Sequence, residues 1–213
     1  MLQNSKIRKK ALESLEGNWG SAAVTMLVYA VITSIVNIGS QYSLAPFGLV
    51  WEALSNLSAL LLLPMTYAFT VGMLGLVRGK KVAPGMLFDY YTNSSVWALC
   101  VLTGIYTILW SLLFLVPGII KYYSYSMAPY LLKDNPEMTA DEAICASMKM
   151  TRGCKMKLFL LDLSFIGWVL LSVLTLGLGF LLLSPYMYSA HAVFYEELKA
   201  ECGIDAPLAG EVA

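Results

Sequence analysis

Residues 97–121 read Trp97-Ala98-Leu99-Cys100-Val101-Leu102-Thr103-Gly104-Ile105-Tyr106-Thr107-Ile108-Leu109-Trp110-Ser111-Leu112-Leu113-Phe114-Leu115-Val116-Pro117-Gly118-Ile119-Ile120-Lys121, and how this stretch is divided decides the fold. Taken whole, it is one apolar helix. Divided at Pro117-Gly118, where proline lacks a backbone donor and glycine is a poor helix former, it is the outgoing half of a hairpin. Residues 97–115 then go out and 118–133 return. Those 37 residues reach about 55 Å as helix, so two crossings of a core of roughly 30 Å need short or tilted helices.

The surrounding chain settles what kind of helix this is. Of 213 residues, 58% are hydrophobic and 13% charged, with a mean hydropathy of +0.68. An ordinary soluble domain carries about 25% charged residues. So little polar surface disfavours a soluble enzyme, a disordered tail and a nucleic-acid binder. Charge-free runs occupy residues 17–51, 53–77, 90–120 and 163–195, each longer than the roughly 20 residues a membrane helix needs. A polytopic membrane protein follows.

Hydropathy alone gives four spans, at about 21–39, 53–77, 97–120 and 158–184. That count puts residues 121–157 outside, with Lys121, Lys133, Lys149, Arg152, Lys155 and Lys157, six of the 14 basic residues. Short loops rich in Lys and Arg stay in the cytoplasm. Breaks at Pro117-Gly118 and within residues 175–179 repair the imbalance. The expectation is therefore all-α: a polytopic membrane helical bundle in one domain. It has six transmembrane helices as three hairpins, at about 21–40, 55–77, 97–115, 118–133, 157–175 and 180–197. An interfacial helix covers 4–18, a cytoplasmic amphipathic helix 135–155 and a cytoplasmic tail 200–213. Both termini lie in the cytoplasm, and of the basic residues only Lys121 faces the outer side.

Each returning helix begins with a leucine-rich turn ending in Pro64, Pro117 or Pro185, the candidate helix-break positions together with Gly118. Tyrosines follow each proline, and then a charged inner end at Arg78, at Lys133 and at residues 196–199. The prolines are spaced by 53 and 68 residues. Such a pattern reads either as a threefold internal repeat or as coincidence in leucine-rich membrane segments. At the N-terminus, Ile7, Ala11, Leu15 and Leu12 share one helical face, which reads as an interfacial helix or as a solvated basic arm. In the segment 135–155, either Asn135 before Pro136 or Thr139 with Glu142 can cap the helix. Ile144, Cys145 and Met148 make its narrow apolar face. The basic end of that helix would meet anionic headgroups of the bilayer.

The stretch Leu109 to Lys121 resembles a known family, as do Tyr123-Ser124-Tyr125-Ser126-Met127-Ala128-Pro129-Tyr130 and Leu132-Lys133-Asp134-Asn135-Pro136. So do Lys157 to Trp168, Phe194-Tyr195-Glu196-Glu197-Leu198, and Ile7-Arg8 with Gly17-Asn18-Trp19-Gly20. Together they resemble the bacterial multi-pass membrane family known as domain of unknown function 975, over nearly the whole chain. One departure is Gly153-Cys154-Lys155-Met156-Lys157, where the family tends to have Gly-Asn-Lys-Trp-Lys. The resemblance implies a bacterial cytoplasmic membrane and brings no reaction or catalytic residues. The family is distantly similar to the membrane portion of glycerophosphodiester phosphodiesterases.

Ionisable residues at membrane depth are candidate functional groups. Lys121 reads as snorkelling to the outer interface or as an ion pair, with Glu52 as its partner. Asp162 and His191 fall at similar depth in the last hairpin. They read as a pair that either satisfies two buried polar groups or relays protons. One histidine and four cysteines without CxxC spacing exclude an evident metal site, and no cofactor is expected. No phosphate-binding glycine loop or nucleophile elbow occurs. The expected role is non-enzymatic, a membrane-organising or accessory protein with the lipid bilayer as its partner, no nucleic acid, and self-association into a homo-oligomer left open. The alternative is a small transporter or channel for a lipid or small amphiphile.

Overall fold

The computed structural model describes residues 3–41, 60–113 and 115–202, and among them every regular element is helical. In chain order these are α1 (Asn4–Leu15), α2 (Trp19–Gln41), α3 (Leu63–Val77), a short 3-10 helix (Pro84–Phe88), α4 (Ser94–Leu113), α5 (Leu115–Tyr125), α6 (Ala128–Asp134), α7 (Ala140–Met150), α8 (Lys155–Leu163), α9 (Ile166–Leu174) and α10 (Phe180–Cys202). Glu52, the connection between α2 and α3, and the tail from 203 lie outside the described residues.

Among the described residues, three stretches are long and apolar enough to cross a membrane: Trp19–Val36 in α2, Ser94–Leu112 in α4, and Lys155–Leu174 across α8 and α9. α3 is apolar but shorter, and α10 carries Glu196, Glu197 and Lys199 in its last turns. Only 11%, 11% and 22% of the three long stretches is buried inside the protein. Ile108, Leu112, Leu170 and Leu174 point outward instead. Helix covers the described parts of the six expected segments, but two of those segments are interrupted. The segment 118–133 divides into α5 and α6, and 157–175 divides into α8 and α9 at Ser164-Phe165.

The prolines act differently from one another. Pro64 sits in the first turn of α3, where its missing N–H costs nothing. Pro117 and Gly118 lie in the first turn of α5 and not in the turn before it. Pro185 does not end a helix. α10 runs through it, losing one i→i−4 bond within 23 otherwise continuous residues.

Two tight crossings fix the hairpins. A Cβ on Gly118 would collide with Ser111, backbone included, and a Cβ on Gly179 would collide with Ser172 in the same way. Both pairs are seven residues apart, and they recur at an offset of 61 residues. The α4–α5 and α9–α10 hairpins thus repeat through Ser and Gly, whereas their prolines fall out of register.

The core consists of three apolar clusters. One surrounds α10, with Phe194 and Tyr195 packed on Ile7, Leu158 and Leu161. A second joins Val96, Leu99, Tyr125 and Leu132 to Ala143 and Ile144 of α7. A third packs Met65, Phe69 and Met73 of α3 against Leu15, Ala22 and Leu87.

α7 begins with a complete capping box: Thr139 Oγ1 accepts from the Glu142 N–H at 3.3 Å and the Thr139 N–H donates to Glu142 Oε2 at 2.8 Å. Its buried face includes Ala143, Ile144, Ala146, Ser147 and Met150, while Cys145 and Met148 are half-buried. That face lies on α4, α5 and α6, so the helix docks on its own bundle. It also repairs the interruption between α5 and α6. The Met127 N–H donates to Ser147 Oγ (3.2 Å), and Ser147 Oγ donates to the Ser124 carbonyl (2.7 Å). Backbone groups freed by the break are thereby satisfied.

α1 is docked as well. Ile7, Ala11 and Leu15 are fully buried, while Leu12 is exposed. Lys10 pairs with Glu197 of α10, and Asn4 donates to the Lys157 carbonyl (3.3 Å).

Candidate functional site

Two polar clusters and one apolar groove stand out, and the first cluster lies inside the helices. Asp162 sits in the last turn of α8 and His191 midway along α10. The packing of Leu158 and Leu161 beside Ala190 and Phe194 brings the two helices together. His191 Nε2 and Asp162 Oδ1 are 2.5 Å apart, and the Tyr123 hydroxyl of α5 donates to Asp162 Oδ2 at 2.9 Å. Both side chains of the pair are about one-fifth exposed. Chemically, a carboxylate that holds an imidazole nitrogen and a phenol hydroxyl fixes the ring's orientation and can share one proton with it. Tyr123 was indistinguishable in the sequence from an interfacial aromatic. Only the fold, which also sets its ring edge-on to Phe159, turns it toward Asp162.

The second cluster lies where helices end. Asp134, the last residue of α6, accepts two hydrogen bonds from Arg78 at the end of α3 (2.6 and 2.7 Å), one from Lys199 (2.8 Å) and one from the Tyr195 hydroxyl (2.9 Å). Arg78 Nε also donates to Glu196 Oε1 at 2.6 Å. Partial burial opposes ionisation of the Asp134 carboxyl, but the hydrogen bonds from Arg78, Lys199 and Tyr195 outweigh it and hold the group well below the usual carboxylate range. The same hydrogen bond raises the Arg78 guanidinium further. A carboxylate at a helix C-terminus opposes the helix dipole and needs cations nearby. That was the signal in the sequence for Asp134, and it points to the basic residues Arg78 at the end of α3 and Lys199 near the end of α10.

The remaining sequence candidates are placed as follows. Lys121 lies over the Trp110 ring, 4.6 Å from its centroid, with Met148 Sδ at 3.8 Å. Its partners among the described residues are thus an aromatic face and a thioether, and Glu52 lies outside them. Lys133 reaches the Tyr90 hydroxyl (2.6 Å). Among the described residues no group of three or more His, Cys, Asp or Glu side chains could hold a metal ion.

The groove, open along one side, has a volume of about 670 Å³. Leu12 and Trp19 form one wall, and Trp168, Leu171, Leu182 and Tyr186 form the other.

Residues 101–202 match the family model described as "Protein of unknown function (DUF975)". This stretch is similar to the DUF975 family. It begins within α4 and ends with α10, so it holds Tyr123, Asp134, Asp162, His191 and Lys199. Arg78, α1 and the Gly17-Asn18-Trp19-Gly20 motif lie before it, and the match is accordingly shorter than the resemblance read from the sequence. No curated protein and no solved structure matches the chain.

Proposed function

We propose that this chain is a non-enzymatic integral protein of a bacterial cytoplasmic membrane that organises lipid around a closed helical bundle. Six spans are arranged as three hairpins with both termini in the cytoplasm. The observation that carries the reading is the contrast between filled interior and apolar exterior. Three apolar clusters occupy the inside, while the long helices turn Leu, Ile and Val outward. In lipid that arrangement is the expected one; in water it would aggregate. The polar groups support it too, because Asp162, His191 and Asp134 are engaged with one another or with neighbouring cations.

Reconstitution into vesicles tests the role. The protein leaves the movement of labelled lipid and of small anions across the bilayer at the rate of empty vesicles; accelerated movement of either would overturn the organising reading. Cysteine labelling tests the orientation. A cysteine at Asn135 is expected to react only from the cytoplasmic side and one at Gly177 only from outside, and labelling of Asn135 from outside would overturn the six-span arrangement.

A second reading, a transporter for a lipid or small amphiphile, is favoured by one observation. The apolar groove runs beside the α9–α10 hairpin, near a carboxylate–imidazole pair able to hold a proton. Movement of labelled lipid that disappears in Asp162→Asn would select it.

A further inference from the structure

One basic residue is left with unused donors beside an apolar groove. Arg8 lies one helical turn before Leu12, a residue of the groove wall. Its Nη1 makes a single long bond (3.4 Å) to the carbonyl of Ser164, one turn before Trp168 on the other wall. Its Nε is buried and has no acceptor among the described residues. The guanidinium is also near enough to Tyr186, a third groove residue, for a Coulombic interaction between them. Lys10, two residues on, is already engaged by Glu197.

A buried guanidinium N–H without an acceptor is costly, and an ionised oxygen is the partner that suits it best. The groove suits the other end of the same molecule. Its volume of about 670 Å³ is within the usual range for small-molecule sites, and its walls are apolar apart from Ser172, Thr175 and the tips of Tyr186 and the tryptophans. Trp19 and Trp168 both line the groove, and amphipathic rings suit the boundary between headgroup and chain. The groove then extends along α9 toward the Thr175–Gly179 turn.

We propose that this groove is a binding site for an anionic phospholipid, with its headgroup oxygens on Arg8 and one acyl chain lying along α9. The proposal rests on the membrane reading above. It adds a named site and a preferred lipid charge to it.

The test uses the full chain released from vesicles of equimolar phosphatidylglycerol and phosphatidylcholine, with retained lipid measured by native mass spectrometry. The wild type is expected to retain phosphatidylglycerol over phosphatidylcholine by about fivefold, the effect of one basic residue near an anionic surface. Arg8→Gln levels that preference while still retaining lipid. Leu171→Trp fills the groove, leaves Arg8 in place, and reduces retention of both lipids. Inorganic phosphate added at millimolar concentration leaves the retained lipid in place, because the acyl chain contributes to binding. Equal retention of the two lipids by the wild type, an unchanged preference in Arg8→Gln, or displacement by phosphate would each overturn the site. None of those results touches the vesicle-transport assay, and lipid movement in that assay would overturn the organising role without altering the Arg8 preference. Should Arg8→Gln fail to fold, loss of retention in Leu171→Trp still decides the matter.

Discussion

The two polar clusters differ in what their charges are for. Around Asp134, two cations and a phenol converge on one carboxylate near the ends of three helices, α3, α6 and α10. Around Asp162, a single neutralisable ring and a phenol meet one carboxylate inside the helices. The first is an arrangement of fixed charges that holds chain segments together. The second joins one carboxylate to a single ring nitrogen and a phenol hydroxyl. Charge number and depth, more than residue type, separate a fastening from a group able to do chemistry.

Removing Asp134 is expected to have the largest effect. Asp134→Ala leaves Lys199 without its carboxylate and Arg78 with Glu196 alone, and costs about 2 kcal/mol after allowance for the partial exposure of both cations, read as a fall in Tm in detergent. A smaller change would place the clusters in one class and erase the contrast. The pH dependence follows from the same depression. Because the folded carboxyl titrates below its unfolded value of about 3.9, its stabilisation is complete above that pH and fades as pH falls through the folded value. The wild-type Tm should therefore decline below about pH 4, and Asp134→Asn should remove that part of the decline.

The inner pair is expected to give a smaller and non-additive effect. A double-mutant cycle of Asp162→Asn and His191→Gln should show a coupling of about 1 kcal/mol. Additive losses would mean that the two side chains are merely neighbours. Two tyrosines sharpen the contrast at the lower end of the scale. Tyr195 and Tyr130 stack with ring centroids 5.1 Å apart, yet only Tyr195 donates to Asp134, and the Tyr130 hydroxyl is buried without a partner among the described residues. Tyr195→Phe should therefore cost about 1 kcal/mol, whereas Tyr130→Phe should be neutral or slightly stabilising. Thermal melts of the two variants side by side check this, and equal losses would show that the Tyr130 hydroxyl has a partner.

Much of this architecture was legible before any coordinates. Charge-free runs announced the long helices, and Thr139 with Glu142 was one of the two starts legible for α7, because capping chemistry is local. Asp162 and His191 could be matched by depth along two helices. What stayed hidden depended on contacts between elements. α7 docks through Ala143, Ala146 and Ser147, small residues that carry no hydrophobic signature, so the face expected from Ile144, Cys145 and Met148 was only partly the one used. Tyr123 resembled any interfacial tyrosine. Pro185 looked like a break because the penalty for proline in a helix is known, while the packing around α10 that tolerates it is not written locally. The Ser111–Gly118 and Ser172–Gly179 crossings went unread because the more conspicuous prolines suggested a different register.

The attachment at Asp134 has a consequence for how the protein is made. Synthesis delivers the N-terminal elements first, so Arg78 and Asp134 can meet while the third hairpin is still absent. Lys199, Tyr195 and Glu196 arrive last, on the same helix as Glu197, which takes hold of Lys10 from the first helix. The bundle can be completed only when the chain has been made through α10. α10 is the closing bolt, and a chain shortened before residue 195 would leave the first helix without Glu197 and the Asp134 carboxylate with Arg78 alone.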